Sequence, residues 1–111
     1  MSALGPVVLV GLPGAGKSKV GRLLAKRLGV AHIDTDALIV EREGRPIADI
    51  FASDGEAAFR LMETAAVADA LTHEAVVSLG GGAAATPAVR ELLSGHTVVY
   101  IDAPHEELVR R

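Results

Sequence analysis

The chain has 111 residues, 50% of them hydrophobic and only 3% aromatic, so a single domain with an aliphatic core is expected. Its net charge of −3 argues against an electrostatic nucleic-acid surface, which needs a clustered basic excess. It contains no cysteine, which excludes disulfides and thiolate metal sites and fits a reducing cytoplasm.

The first predicted element is a strand at residues 7–10, an unbroken apolar run that is β-branched at three of its four positions. Such a run is typical of a central strand buried on both faces. It lacks a basic leader and is followed by Gly11 and Pro13, so neither a signal peptide nor a membrane span is expected there.

Helices and strands are predicted to alternate along the rest of the chain. From Lys17 to Leu28 apolar residues recur at helical spacing, and Gly29 is placed as a C-terminal cap. Further strands are predicted at residues 30–34, 75–79 and 97–101. Further helices are predicted at residues 36–43, at IADIF after Pro46, from a Ser53–Glu56 capping box to about Leu71, from Thr86-Pro87 to just before Gly95, and from Pro104 onward. This alternation predicts one α/β domain over residues 1–111, with a parallel sheet and right-handed crossovers.

The segment after the first strand matches the phosphate-loop pattern G-x-x-x-x-G-K-[ST] in full. It comprises Gly11, Leu12, Pro13, Gly14, Ala15, Gly16, Lys17 and Ser18. Glycines let the backbone wrap around a polyphosphate, and the following helix points its positive end at the same anion. Lys17 is placed to reach the β- and γ-phosphates, and Ser18 to bind Mg²⁺. A glycine turn without this role is disfavoured, because the motif has its required strand–loop–helix context.

Two carboxylates, Asp34 and Asp36, follow the second predicted strand. Ligands of an open parallel sheet bind beyond the carboxyl ends of its strands, so both residues are expected near the nucleotide. One can hold Mg²⁺ through water, and the other can orient or deprotonate an attacking hydroxyl. The alternative is that Asp36 merely caps the next helix.

Four motifs together resemble the shikimate kinase family. They are GLPGAGKS, DTD, ADIFASDGE followed by an arginine on a helix, and SLGGG, in the family's order. The resemblance implies a three-layer P-loop NTPase fold with a central parallel sheet flanked by helices. It also implies transfer of the γ-phosphoryl group of ATP to the 3-hydroxyl of shikimate, toward chorismate and the aromatic amino acids, with Mg²⁺ as cofactor. The expected protein is a cytoplasmic monomer with neither nucleic acid nor a membrane as partner.

The resemblance assigns roles position by position. Lys17 and Asp36 are the expected catalytic residues, and Asp36 also binds shikimate hydroxyls. Ser18 and Asp34 match the metal positions, Asp34 acting through water. Nucleotide contacts are expected from the phosphate loop, from Lys19, where many relatives carry a second hydroxyl residue, and from Arg111, against the adenine ring. The other substrate positions are Arg60 for the shikimate carboxylate, Glu63 to steady Arg60, the triple glycine Gly80, Gly81 and Gly82, and the pocket aromatics Phe51 and Phe59.

Each substrate position has a plainer interpretation. A guanidinium fork suits a carboxylate, but Arg60 could equally form a solvated helix salt bridge with Glu56 or Glu63. The three glycines could form a strand-to-helix turn, and the two phenylalanines could serve packing. None of the four histidines has metal-binding spacing, and no role is expected for them.

The resemblance also defines a departure and two alternatives. Family members continue beyond Arg111 with a lid, a strand and a closing helix. Either the protein lacks these elements, and impaired catalysis is then expected, or the sequence is part of a longer chain. One alternative is a kinase for another polyol such as gluconate, which need not keep Arg60 with the triple glycine. The other is a nucleotide-binding module without phosphotransfer, which needs neither Asp36 nor Arg60.

Overall fold

A computed structural model describes residues 5–11, 17–80 and 82–101. Its strands are β1 (Val7–Gly11), β2 (Ala31–Asp34), β3 (Ala75–Ser78) and β4 (Thr97–Ile101). Its helices are α1 (Lys17–Leu28), α2 (Thr35–Glu43), α3 (Ile47–Ala70) and α4 (Pro87–Leu93), with a short 3₁₀-helix at Ala83–Ala85. The predicted alternation is confirmed over these ranges, whereas the helix predicted from Pro104 lies outside them.

The four strands form one parallel sheet in the order β2-β3-β1-β4. Strands β1 and β3 are neighbours at the centre of the sheet. The connection from β1 leads to β2 at one edge, and the connection from β3 leads to β4 at the opposite edge. Such a switch point is where open α/β sheets bind ligands, beyond the carboxyl ends of the strands. The register places Asp34 at the end of β2 beside Ser78 at the end of β3.

Helices cover both faces of the sheet, which confirms the predicted three layers. On one face, α1 packs through Ala25 onto Leu9 and Val76. On the other face, α3 and α4 pack through Val67 and Val89. Removing these aliphatic side chains from water stabilises the sandwich by roughly 25 cal/mol per Å² of apolar surface. Within the described ranges, no helix is long and apolar enough to cross a membrane.

Helix α3 is broken at Gly55, which corrects the predicted capping box. Gly55 has φ 89° and ψ 169°, a conformation that favours glycine, so the second half of α3 starts after it rather than at Ser53. The Ser53 hydroxyl instead accepts a hydrogen bond from Arg45 and donates one to Asp54. Arg45 also donates to Asp54 at 2.6 Å, and this bond lowers the pKa of the Asp54 carboxyl. The network ties the start of α3 to the break.

Candidate active site

The phosphate-loop sequence joins the central strand β1 to α1. Gly11 ends β1 against β4, and a β-carbon built on it would overlap the backbone carbonyl of Ile101. Close strand packing therefore requires the first glycine of the motif. Lys17 and Ser18 open the first turn of α1, and Lys19 follows them on its exposed surface. The predicted nucleotide-binding residues Leu12, Pro13, Gly14, Ala15, Gly16 and Arg111 lie outside the described residues, as does Gly81 of the triple glycine.

Asp34, and not Asp36, caps helix α2. Its Oδ1 accepts a hydrogen bond from the backbone N–H of Ala37 at 3.2 Å, which satisfies one of the unpaired donors at the helix start. The helix begins at Thr35, one residue earlier than predicted, so Asp36 falls in its first turn. The capping interpretation was thus attached to the wrong aspartate.

The Asp34 carboxylate is a suitable ligand for Mg²⁺ at this position. Asp34 at the end of β2 is in register with Ser78 of β3, and β3 in turn pairs with β1, the strand that leads into the phosphate loop. Among the described residues, no group of three or more His, Cys, Asp or Glu side chains could hold a metal ion. Mg²⁺ keeps several waters and is usually held by one or two carboxylates together with substrate phosphates. A single carboxylate near a phosphate loop is therefore a suitable donor set.

Asp36 lies against the backbone at the end of β3. A β-carbon built on Gly80 would stand 2.7 Å from both Cγ and Oδ2 of Asp36. Gly82 is approached in the same way by Arg60, whose Nη2 would be 2.8 Å from an added β-carbon. In the described part of the chain, Gly80 and Gly82 thus leave room for the two side chains predicted to act on the substrate. The expected approach of a ligand to the backbone of the triple glycine stays a prediction.

Arg60 is fixed by Glu63, one turn further along α3. Arg60 Nη1 donates to Glu63 Oε1 at 3.0 Å and to Oε2 at 3.1 Å, while Nη2 reaches Glu56 at 3.5 Å. Glu63 is 1% exposed, so this ion pair is not the solvated salt bridge of the plainer interpretation. Burial opposes the charge of Arg60, but its hydrogen bonds to Glu63 and then to Glu56 outweigh burial and raise the pKa of Arg60.

The two phenylalanines surround Arg60 in different environments. Their ring centroids are 4.8 Å apart, and the guanidinium carbon lies 5.9 Å from the Phe51 ring and 5.3 Å from the Phe59 ring. At these distances both rings attract the cation. Phe59 is also buried in a cluster with Ile39 and Ile50, whereas Phe51 is partly exposed. Phe59 therefore contributes both to the packing of this core cluster and to the surroundings of Arg60.

A cavity of about 420 Å³ opens beside Arg60. Its lining residues are Glu56, Arg60, Gly82, Ala85, Thr86 and Pro87. This volume lies in the range of small-molecule sites, and among the described lining residues Arg60 supplies a cation for an anionic group. The Arg60 guanidinium in this cavity can bind a small carboxylate.

Two polar contacts near the site have no sequence pattern that predicts them. Thr86 Oγ1 donates to Glu63 Oε1 at 3.1 Å, from a position predicted only as a helix start. His32, for which no role was expected, places Nε2 2.8 Å from the hydroxyl of the fully buried Ser78. Burial lowers the pKa of His32; Asp34 opposes this shift and Arg22 adds to it. Both contacts join residues far apart in the chain, which local patterns do not report.

The parallel sheet, with its phosphate-loop sequence after the central strand and its side chains converging beyond β3, defines a P-loop α/β protein with a small-molecule site. The chain belongs to the shikimate kinase family, whose sequence model matches residues 13–111. The shikimate kinase of Mycobacterium avium is 61% identical over 105 residues, which cover 94% of this chain and 60% of that protein. The chain thus spans about 60% of the length of the curated relatives that it matches.

Solved structures agree with this assignment. The structure of shikimate kinase from Acinetobacter baumannii in complex with shikimate has a TM-score of 0.87 and 39% identity, covering 98% of this chain and 62% of that one. A gluconokinase from Sinorhizobium meliloti has a TM-score of 0.52 and 23% identity, covering 96% of this chain and 61% of that one. The second likeness indicates the fold alone, so the gluconate alternative gains no support from it.

Proposed function

We propose that the protein transfers the γ-phosphoryl group of ATP to shikimate, at the 3-hydroxyl by analogy with its family. The observation that carries the proposal is that Asp36 and Arg60 lie against the same short segment beyond β3, at Gly80 and Gly82. Arg60 is held by the buried Glu63 against Gly82, and Asp36 lies against Gly80, two residues earlier. A carboxylate clamp and a candidate base thus flank one short segment, as a small hydroxylated acid requires.

Binding of the acceptor is assigned to Arg60. A guanidinium can donate two parallel hydrogen bonds to a carboxylate, which fixes both the position and the orientation of the ligand. The two phenylalanine rings and Glu63 limit the motion of Arg60, so little side-chain entropy is lost on binding. The adjoining cavity of about 420 Å³ is assigned to the ring and its hydroxyls, since its volume lies in the range of small-molecule sites.

The reaction is assigned to Asp36 and the phosphate loop. Asp36 orients the acceptor hydroxyl and accepts its proton while the bond from the hydroxyl oxygen to the γ-phosphorus forms. The bond from that phosphorus to the β,γ-bridging oxygen breaks, and ADP leaves. Lys17 and the backbone N–H groups of the phosphate loop, which Pro13 does not supply, would hold the phosphates, and Ser18 together with Asp34, through water, would hold Mg²⁺. When bound, Mg²⁺ would neutralise charge on the phosphates.

The remaining assignments are also part of the proposal. Nucleotide contacts by Lys19 and Arg111, a substrate contact by Gly81, a cytoplasmic location, a monomeric state and the absence of nucleic-acid partners stay predictions. A role in aromatic amino acid synthesis follows from the proposed substrate. The single domain over residues 1–111 likewise stays a prediction.

The test is ADP release by this chain with Mg²⁺-ATP, alone, with shikimate and with gluconate. We expect release that depends on shikimate and is absent with gluconate. Calorimetric titration with ATP and with shikimate should accompany it. ATP binding without shikimate binding or turnover would favour a nucleotide-binding module, and release with gluconate would favour the other kinase.

A further inference from the structure

Thr86 completes the hydrogen bonding of the buried Glu63 carboxylate. Glu63 Oε1 accepts from Arg60 Nη1 at 3.0 Å and from Thr86 Oγ1 at 3.1 Å, and Oε2 accepts from the same Arg60 nitrogen at 3.1 Å. The Gly82 carbonyl is a second, longer acceptor for the Thr86 hydroxyl at 3.4 Å. Because a hydroxyl has one proton, the nearer carboxylate is the stronger competitor for it.

The Thr86 hydroxyl does not cap the helix at whose start it lies. Thr86 is the N-terminal cap residue of α4, yet it makes no side-chain capping bond to that helix. A threonine at this position commonly accepts from the helix backbone. Here the hydroxyl points back across 23 positions of sequence to α3. Stability of α4 therefore does not explain the contact.

The contact bears on Arg60 through the charge of Glu63. A buried carboxylate demands several donors, and each donor from elsewhere reduces its demand on Arg60. Without the Thr86 hydroxyl, Arg60 becomes the sole side-chain donor of the described network to Glu63 Oε1. The guanidinium would then be drawn toward Glu63 and away from the cavity that both Arg60 and Thr86 line.

We propose that Thr86 is a positioning residue that sets, through Glu63, the orientation in which Arg60 receives the substrate carboxylate. The inference rests on the proposed function, since it assumes that Arg60 binds shikimate. It assigns a functional reason to a hydroxyl that the helix start itself does not use.

The test is calorimetric binding of shikimate to the whole chain carrying Thr86→Val, which keeps the shape and removes the hydroxyl. We expect affinity for shikimate to fall about threefold to tenfold, because Arg60 is drawn toward Glu63 once that carboxylate loses a donor. Affinity for ATP should stay unchanged. Thr86→Ser should restore binding, and Thr86→Ala serves if the valine variant is unfolded. The matched control is Thr72→Val, because the Thr72 hydroxyl donates to the Asp69 carbonyl near the end of α3 and has no other hydrogen bond among the described residues.

Thr86 lines the cavity, so a direct contact with substrate must be distinguished from an effect through Arg60. In an Arg60→Ala background, Thr86→Val should cause no further loss of shikimate affinity. An equal loss in both backgrounds, or no loss in either, would overturn the inference while leaving the proposed function intact. Failure of the unmodified chain to bind shikimate would overturn both.

Discussion

The carboxylate of Asp36 lies so close to the backbone of Gly80 that a β-carbon there would stand 2.7 Å from the Asp36 carboxyl carbon. The proposed base can occupy this position because Gly80, just beyond β3, has no side chain. Gly82 does the same for Arg60. The two glycines give a way to disturb the proposed base and the proposed clamp separately.

Gly80→Ala should lower turnover at least tenfold, because the Asp36 carboxylate has to rotate away from the added methyl group. Gly82→Ala should chiefly raise the KM for shikimate, because the added group meets the end of the Arg60 side chain instead. Steady-state kinetics of both variants, with circular dichroism to verify folding, measure the difference. Identical kinetic defects in the two variants would contradict these separate roles.

Asp36→Asn should reduce kcat by about 10²-fold or more while the affinity for ATP stays nearly unchanged, because proton transfer commonly contributes that much. The measurement is kcat beside calorimetric ATP binding. Glu41→Gln, a neutralised and exposed carboxylate on the same helix, is the matched control and should behave like the unmodified protein. An equal loss of ATP binding in Asp36→Asn would refute the role as acceptor base.

Arg60→Ala should weaken shikimate binding more than tenfold and affect ATP binding little, since the paired hydrogen bonds to the carboxylate are lost. Arg42→Ala is the control, because Arg42 forms an exposed ion pair with Asp69 outside the cavity. Titration calorimetry with each ligand gives the comparison. If shikimate affinity survives in Arg60→Ala, the clamp is assigned to the wrong residue.

Gly21→Ala should destabilise the protein by about 1–2 kcal/mol. A β-carbon there would stand 2.7 Å from His32 Nε2 and 2.8 Å from Ser78 Oγ, separating α1 from the sheet. Overpacking costs about 1–3 kcal/mol, and alanine returns up to about 1 kcal/mol as the better helix former. Urea denaturation measures the loss. In a His32→Ala background, where space is available, the destabilisation should be smaller; an unchanged loss would point to a different cause.

Stability should fall as the pH falls below about 6.5, the ordinary pKa of histidine. Burial lowers the pKa of His32 in the folded state, so between that pKa and 6.5 the unfolded chain binds more protons. Protonation then favours unfolding, and stability rises with pH across this window. Melting temperatures measured from pH 5 to 8 should show a weaker dependence in His32→Gln than in the unmodified protein. Parallel curves would exclude His32 as the source.

Local sequence was sufficient for most of the fold, because strands and helices here follow from hydrophobic period and from Gly and Pro positions. The predicted strand at residues 97–101 has the observed bounds, and the others shift by one residue at an end. The capping box failed because the positive φ of Gly55 interrupts α3 after Ser53, and a sequence pattern does not report backbone conformation. The alternative of a helix cap at Asp36 was wrong, because either aspartate fits the pattern and the structure places Asp34 at the cap position.

The sequence alone determined the family, the parallel α/β arrangement and the residue types of the candidate site, since motif spacing and hydrophobic period are properties of short stretches of sequence. Only the tertiary structure decided which groups meet. It places Thr86 on Glu63 across 23 positions and His32 on Ser78 across 46. It also shows that Gly80 and Gly82 make room for Asp36 and Arg60. Such contacts depend on how α1, α3 and α4 pack against the sheet, and many sequences with the same periodicity would pack differently.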